Sequence, residues 1–133
     1  MKKAVYICHP VSGDIKNNLK KIRDIILYIA ENYEDVVPFC PYYAYIESLD
    51  DSNLKHRLKG MKFNVQLIQK CCDELWIFGD RISQGMEYEI YCSYQWGVEI
   101  VNMSGKIQNT EIVSKVDNIE LWAIRQKTFI KSV

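Results

Sequence analysis

The residues in this chain whose types and spacing best suit chemistry are Ser83, Gly85 and Glu89, in the order Ser-x-Gly-x-x-x-Glu. They follow a short apolar run, Leu75-Trp76-Ile77-Phe78, and a polar, turn-rich loop from Gly79 to Gly85. The segment beyond reads as a helix that ends at Gly97. Ser83 places a hydroxyl near the helix start, Gly85 allows close approach to the backbone, and Glu89 comes one turn in. Met86, Ile90 and Ser93 recur at i, i+4 and i+7 and mark an inward face, which Glu89 flanks. A carboxylate in that place is partly desolvated and can act as a nucleophile or general base. A plainer role also fits, since the helix dipole favours acids such as Glu87 and Glu89 in the first turns.

Two further loops offer polar or aromatic groups. The first strand, Lys3 to Cys8, runs into His9-Pro10-Val11-Ser12-Gly13-Asp14. Ser12, Gly13 and the helix start that follows can hold a hydroxyl or phosphate through backbone N–H groups. A Pro-Gly turn capped by Asp14 accounts for the same residues without a ligand. The loop is not a P-loop, because no Gly-Lys-Ser/Thr follows, and it is not a dinucleotide fingerprint. Pro41-Tyr42-Tyr43-Ala44-Tyr45 reads as an aromatic-rich loop whose tyrosines either stack on a base or pack on the protein. Asp80 adds a carboxylate to the third loop.

The elements that must position these loops follow from periodicity. Ile15, Leu19, Ile22, Ile26 and Ile29 predict an amphipathic helix to about Asn32. Val36 to Cys40 reads as a strand, with Pro38 suited to a sheet edge. Leu54, Leu58, Met61, Val65, Ile68 and Cys72 predict another helix, announced by Asp50-Asp51-Ser52, with Gly60 a weak point in its middle. Val98 to Met103 reads as a strand, Thr110 to Val116 as a strand or extended segment, and Asp117 to about Phe129 as a final helix. The order β-α-β-α-β-α-β-(β)-α predicts an open, mainly parallel α/β sheet of four to five strands, with helices on both faces. Right-handed crossovers give a flavodoxin-like strand order of 2-1-3-4, with Lys3–Cys8 and Glu74–Phe78 as adjacent central strands. All three loops then leave the carboxyl ends of strands, where such sheets bind ligands.

Bulk properties narrow the classes. The 133 residues suit a single domain, 1–133, and the 17 basic and 17 acidic side chains give zero formal net charge. No electrostatic footprint for a nucleic acid polymer or a membrane is present, and Lys16 to Arg23 reads as the solvated face of a helix. Without a bilayer-length apolar run or a signal peptide, the chain reads as cytoplasmic. Five cysteines, an odd number without zinc-type spacing, and two scattered histidines argue for no metal site and no cofactor. Tyr88, Tyr91, Tyr94 and Trp96 crowd one helix and predict a homodimer through it, unless the final helix with Trp122 and Phe129 covers them.

The Ser83-x-Gly85-x-x-x-Glu89 pattern after an apolar strand resembles the nucleoside 2-deoxyribosyltransferase superfamily, which includes deoxynucleoside monophosphate N-glycosidases. A start like VYICHPVSGDIKNNLKKIR and a later CDELWIFGDRISQGMEYEI are similar to small, mostly phage- and prophage-borne domains of unassigned function within that fold. The resemblance covers about residues 1–103 and leaves 104–133 as a C-terminal extension. It implies that Glu89 attacks the anomeric carbon and forms a glycosyl-enzyme intermediate. Ser83 matches a position that holds phosphate in the nucleotide-cleaving members and is acidic in the transferases. Gly85 and Met86 match the loop backbone beside the sugar, and His9 to Gly13, with Cys8 before them, match the lining of the base and phosphate pocket. The chain departs from the pattern at Ser12, where the nucleotide glycosidases have arginine. It departs again in Lys62-Phe63-Asn64-Val65-Gln66, where active enzymes have an aspartate.

Three functions are open on these grounds. The first is an enzyme that cleaves or transfers the N-glycosidic bond of a nucleoside or nucleotide through Glu89. The second is a catalytically silent binder that sequesters a nucleotide or nucleotide-derived signal. The third is an interaction domain without a small-molecule ligand. The retained Glu89 favours the first, and the absent acid near Asn64 favours the second.

Overall fold

The computed structural model describes residues 2–50, 52–116 and 130–132. Strand β1 spans Lys3–Cys8, α1 Ile15–Asn32, β2 Val36–Phe39, α2 Tyr42–Ser48, α3 Leu54–Cys71, β3 Glu74–Ile77, α4 Gln84–Gln95, β4 Glu99–Asn102, α5 Asn109–Val116 and β5 Ile130–Ser132. Five strands pair in the order β2-β1-β3-β4-β5, every neighbouring pair parallel. This is the expected flavodoxin-like order with one strand added at its end. Strands β1 and β3 are central neighbours, with Val5 opposite Glu74 and Cys8 opposite Ile77. Pro38 lies on the edge strand β2, where its missing N–H interrupts no outer pairing.

Alternation along the strands separates two cores. Tyr6, Cys8, Leu75, Ile77 and Ile100 join Ile68, Met86, Ile90 and Ile112 on one face; Val5, Ile7, Trp76, Phe78 and Val101 join Ile29 on the other. Two of the helices on the first face, α3 and α4, are fixed at their starts by side-chain caps. Asn53 caps α3 by accepting from the Lys55 and His56 amides, and Ser83 caps α4 by accepting from the Met86 amide. Of the apolar face predicted for α1, Ile22 and Ile29 are buried and Leu19 and Ile26 half-buried, whereas Ile15, at the helix start, is exposed.

The structure corrects the sequence reading in three places. The Tyr42–Tyr45 stretch is the start of a helix, not a loop; Pro41, at φ −65° and ψ −23°, already holds helical backbone angles there. Thr110–Val116 is helical, because Ile112 is drawn fully into the core against α4 and overrides the β-branched bias of the segment. Leu54 and Leu58 are exposed rather than inward, since the first half of α3 overhangs a cavity instead of packing on the sheet. The final helix expected over 117–129, with its cover for the aromatic stripe, lies outside the described residues.

Candidate functional site

A cavity of about 160 Å³ opens at the carboxyl ends of β1 and β3. The first loop contributes His9, Val11 and Ser12; the third loop and α4 contribute Ser83, Gly85, Met86 and Glu89. Helix α2 adds Tyr42, Tyr45 and Ile46, with Leu49 just beyond its end, and α3 adds His56, Arg57, Gly60, Met61 and Asn64. The first loop is held in place from α1, where the Asn18 side-chain amide donates to the Val11 carbonyl at 2.9 Å. The third loop turns at Gly79, whose φ of +102° suits glycine, and a Cβ there would stand 2.8 Å from the Pro10 ring. Pro10 therefore acts from behind, packing the first loop against the third.

Glu89 is the chemical centre of this cavity. It is 8% exposed, and no lysine or arginine pairs with it in the described structure. Its Oε2 accepts from the Tyr6 hydroxyl at 2.6 Å, and its Oε1 accepts from the Cys8 thiol at 3.6 Å. Burial pushes the Glu89 carboxyl up to about 7, against the pull of hydrogen bonds from Tyr6, Cys8 and Asn64. Burial and the Glu89 charge drive Tyr6 and Cys8 well above their ordinary ranges, so both stay protonated as donors. Tyr42 completes the floor, donating to the Ile7 carbonyl at 2.7 Å and packing edge-on against Tyr6 at 5.9 Å.

His9 is buried at the rim of the same space. Its Nδ1 stands 2.6 Å from the Pro10 carbonyl; donation there leaves Nε2 with a free lone pair. Burial is the largest influence on this ring and lowers its pKa, so it is neutral at pH 7 and able to accept a proton. Among the described residues no group of three or more His, Cys, Asp or Glu could hold a metal ion. The arrangement thus brings together a buried carboxyl group, a neutral imidazole and aromatic walls around one partly apolar cavity.

Residues 3–103 match the model of a domain of unknown function, DUF7768. The chain belongs to the DUF7768 family. No curated protein matches the sequence. Among solved structures, the fold is similar to a 2-deoxyribosyltransferase from Bacillus psychrosaccharolyticus, with a TM-score of 0.62 and 19% identity over 84% of this chain and 80% of that one. It is also similar to a 2-desoxiribosyltransferase from Leishmania mexicana, with a TM-score of 0.56 and 17% identity over 80% of this chain and 67% of that one. A conserved protein from Enterococcus faecalis V583 shows a TM-score of 0.60 and 17% identity over 100% of this chain and 91% of its own.

Within this DUF7768 domain, the structure gathers His9, Ser12, Ser83, Gly85, Met86 and Glu89 around one cavity. Cys8 stands behind Glu89 and touches its carboxylate. Pro10, Gly13, Tyr43 and Asp80 do not line the cavity. Tyr43 turns onto α1, donating to the Leu19 carbonyl at 2.9 Å and accepting from the Arg23 guanidinium at 3.2 Å, because α2 sends neighbouring side chains to different sides. Asp80 is exposed and near enough to His9 to raise its pKa. Gly13 sits on the surface beside Arg81, whose guanidinium donates to the Ser12 carbonyl at 2.9 Å. The sequence reading offers Tyr42 as a stacking residue but does not single out Tyr6, His56, Arg57 or Asn64 as site residues. Asn64, one turn after Gly60 in the helical register of Met61 and Val65, was the only one of these with a readable signal.

Proposed function

We propose that this domain cleaves or transfers the N-glycosidic bond of a nucleoside or nucleotide, with Glu89 as the attacking carboxylate. The observation that supports this best is the Glu89 carboxylate itself, buried in the cavity wall and gripped by Tyr6 and Cys8 from β1. A Glu89 oxygen bonds to the anomeric carbon while the C–N bond breaks, and the base leaves with the electron pair and takes a proton from solvent. Water, or an acceptor base, then attacks the same carbon and frees Glu89. Neutral His9, which lines the same cavity, takes the proton in this scheme when water is the acceptor. Two fold neighbours described as 2-deoxyribosyltransferases support the substrate class.

A silent nucleotide binder is the second reading, and one observation favours it. Glu89 is the sole carboxylate among the described residues lining the cavity, so no acidic side chain there can protonate a departing base. Incubation with a panel of nucleosides and nucleotides separates the two readings. Free base by chromatography, with a glycosylated Glu89 peptide by mass spectrometry, supports the enzyme. Retained intact ligand without base release supports the binder.

The same proposal places the protein in the cytoplasm as a homodimer. No described helix is long and apolar enough to cross a membrane. Trp96 is 38% exposed at the C-terminal cap of α4, whereas Tyr91 and Tyr94 pack against their own core, so the dimer surface centres on Tyr88 and Trp96. Light scattering at tens of micromolar that gives the monomer mass rejects the dimer.

A further inference from the structure

The Asn64 side chain combines two features that the glycosidic reading alone does not use. Its amide stands near enough to Glu89 to help hold that carboxyl's pKa down, and its Oδ1 is buried with no hydrogen-bond partner among the described residues. Asn64 also lines the cavity. An ionised carboxylate accepts only, so the Asn64 NH2 faces Glu89 and the Oδ1 is the group left over. Oxygen and nitrogen of one amide share a carbon, so this acceptor stands within a few ångströms of the attacking oxygen. Buried acceptors are normally satisfied, and an orphan beside a nucleophile marks a place for a ligand donor.

We infer that Asn64 Oδ1 accepts the 2′-hydroxyl of a ribosyl substrate, making this site selective for ribonucleosides or ribonucleotides over their 2′-deoxy forms. The inference rests on the proposed attack by Glu89. In a β-nucleoside, in-line attack comes from the face opposite the base. In ribose the 2′-hydroxyl lies on that same face, on the carbon bonded directly to the one attacked. It is therefore the ligand donor nearest to any group that touches the nucleophile. The base lies across the ring from Asn64, and the 3′-hydroxyl is one carbon further away. Hydrogen bonds to this hydroxyl also strengthen as charge develops at the anomeric carbon. A 2′-deoxy sugar leaves Oδ1 buried and unpaired, which sites of this kind discriminate against strongly.

The test uses matched sets of ribosyl, 2′-deoxyribosyl and arabinosyl nucleosides and their 5′-monophosphates. Binding is read by calorimetry and base release by chromatography. The arabinosyl sugar keeps the 2′-hydroxyl but turns it to the base side. The ribosyl member should bind or react at least ~10-fold better than both others, the order expected from losing one buried hydrogen bond. Asn64→Leu, close in size but without an acceptor, should bring the three sugars level; Asn64→Ala serves if the leucine variant does not fold. Wild type that treats ribosyl and 2′-deoxyribosyl members alike, or prefers the deoxy sugar, overturns the inference and leaves the glycosidic reading standing. A preference that survives both Asn64 variants also overturns it. If no member of any set binds or reacts, the glycosidic reading fails and the inference fails with it.

Discussion

The Tyr6 hydroxyl lies 2.6 Å from Glu89 Oε2, although the two residues are 83 positions apart in sequence. One comes from the buried strand β1 and the other from the second turn of α4. The bond is charge-assisted whenever Glu89 is ionised, and such bonds are short and strong. It fixes the carboxylate in one rotamer and opposes the burial that raises its pKa. If Glu89 is the nucleophile proposed above, a carboxylate held in this way loses little freedom on reaching the attacking geometry.

Replacing Glu89 with Gln keeps the size and removes the charge. Turnover of the N-glycosidic bond should fall at least ~10³-fold, because no covalent intermediate forms. Ground-state binding should change far less, since the amide still accepts and donates. Glu87→Gln on the same helix removes only a favourable helix-dipole charge and should cost a few tenths to ~1 kcal/mol of stability with activity retained. Equal turnover in wild type and Glu89→Gln removes Glu89 from the mechanism.

In the proposed mechanism Glu89 attacks only when ionised, so the rate should rise with pH and pass half its plateau near pH 7, where its carboxyl titrates. Tyr6→Phe removes a hydrogen bond that lowers this pKa. The rising limb of its pH–rate profile should therefore move to higher pH. A profile that does not move would show that the hydroxyl does not act on the ionisation of Glu89.

The same raised pKa predicts a pH-dependent stability. Between the ordinary glutamate range and about pH 7 the folded state binds the Glu89 proton more tightly than the unfolded chain does. Its contribution is therefore fully favourable below that window, is lost as pH rises through it, and levels off above about 7. The change is on the order of 3 kcal/mol. Glu89→Gln should match wild type near pH 4 and exceed it in stability near pH 8. Urea unfolding of both proteins at the two pH values measures the difference; parallel curves would contradict it.

Ser83 both caps α4 and faces the cavity. Ser83→Ala should cost about 1 kcal/mol through the lost cap. Ser83→Asp restores a capping acceptor but adds a negative charge, so it should recover the stability while shifting preference from nucleoside monophosphates toward nucleosides at least ~10-fold. Thermal melts and paired substrate assays separate the two effects. An unchanged nucleoside-to-monophosphate ratio in Ser83→Asp would exclude Ser83 from phosphate recognition.

The sequence by itself determined the sheet order, the inward face of α4 and the Ser83 hydroxyl at that helix's start; that this hydroxyl caps the helix is shown by the structure. Each follows from a local rule: alternating elements with right-handed crossovers, a 3.6-residue repeat, and a hydroxyl at a helix start. It also placed Glu89 on the buried side, because Met86, Ile90 and Ser93 share that side and are all buried in the structure. Only the tertiary structure decided what Glu89 meets. Tyr6 was legible as a strand residue, but strand alternation gives it a face and not a partner across the sheet-to-helix layer. Asn64 and His56 were legible as helix residues, but periodicity does not say that the first half of α3 hangs over a cavity. Tyr42 and Tyr43 are adjacent, and the short α2 helix alone turned one to the cavity and the other to α1. Local periods fix which side of an element is apolar; the packing of helices on both sides of one sheet decides which of those sides come together.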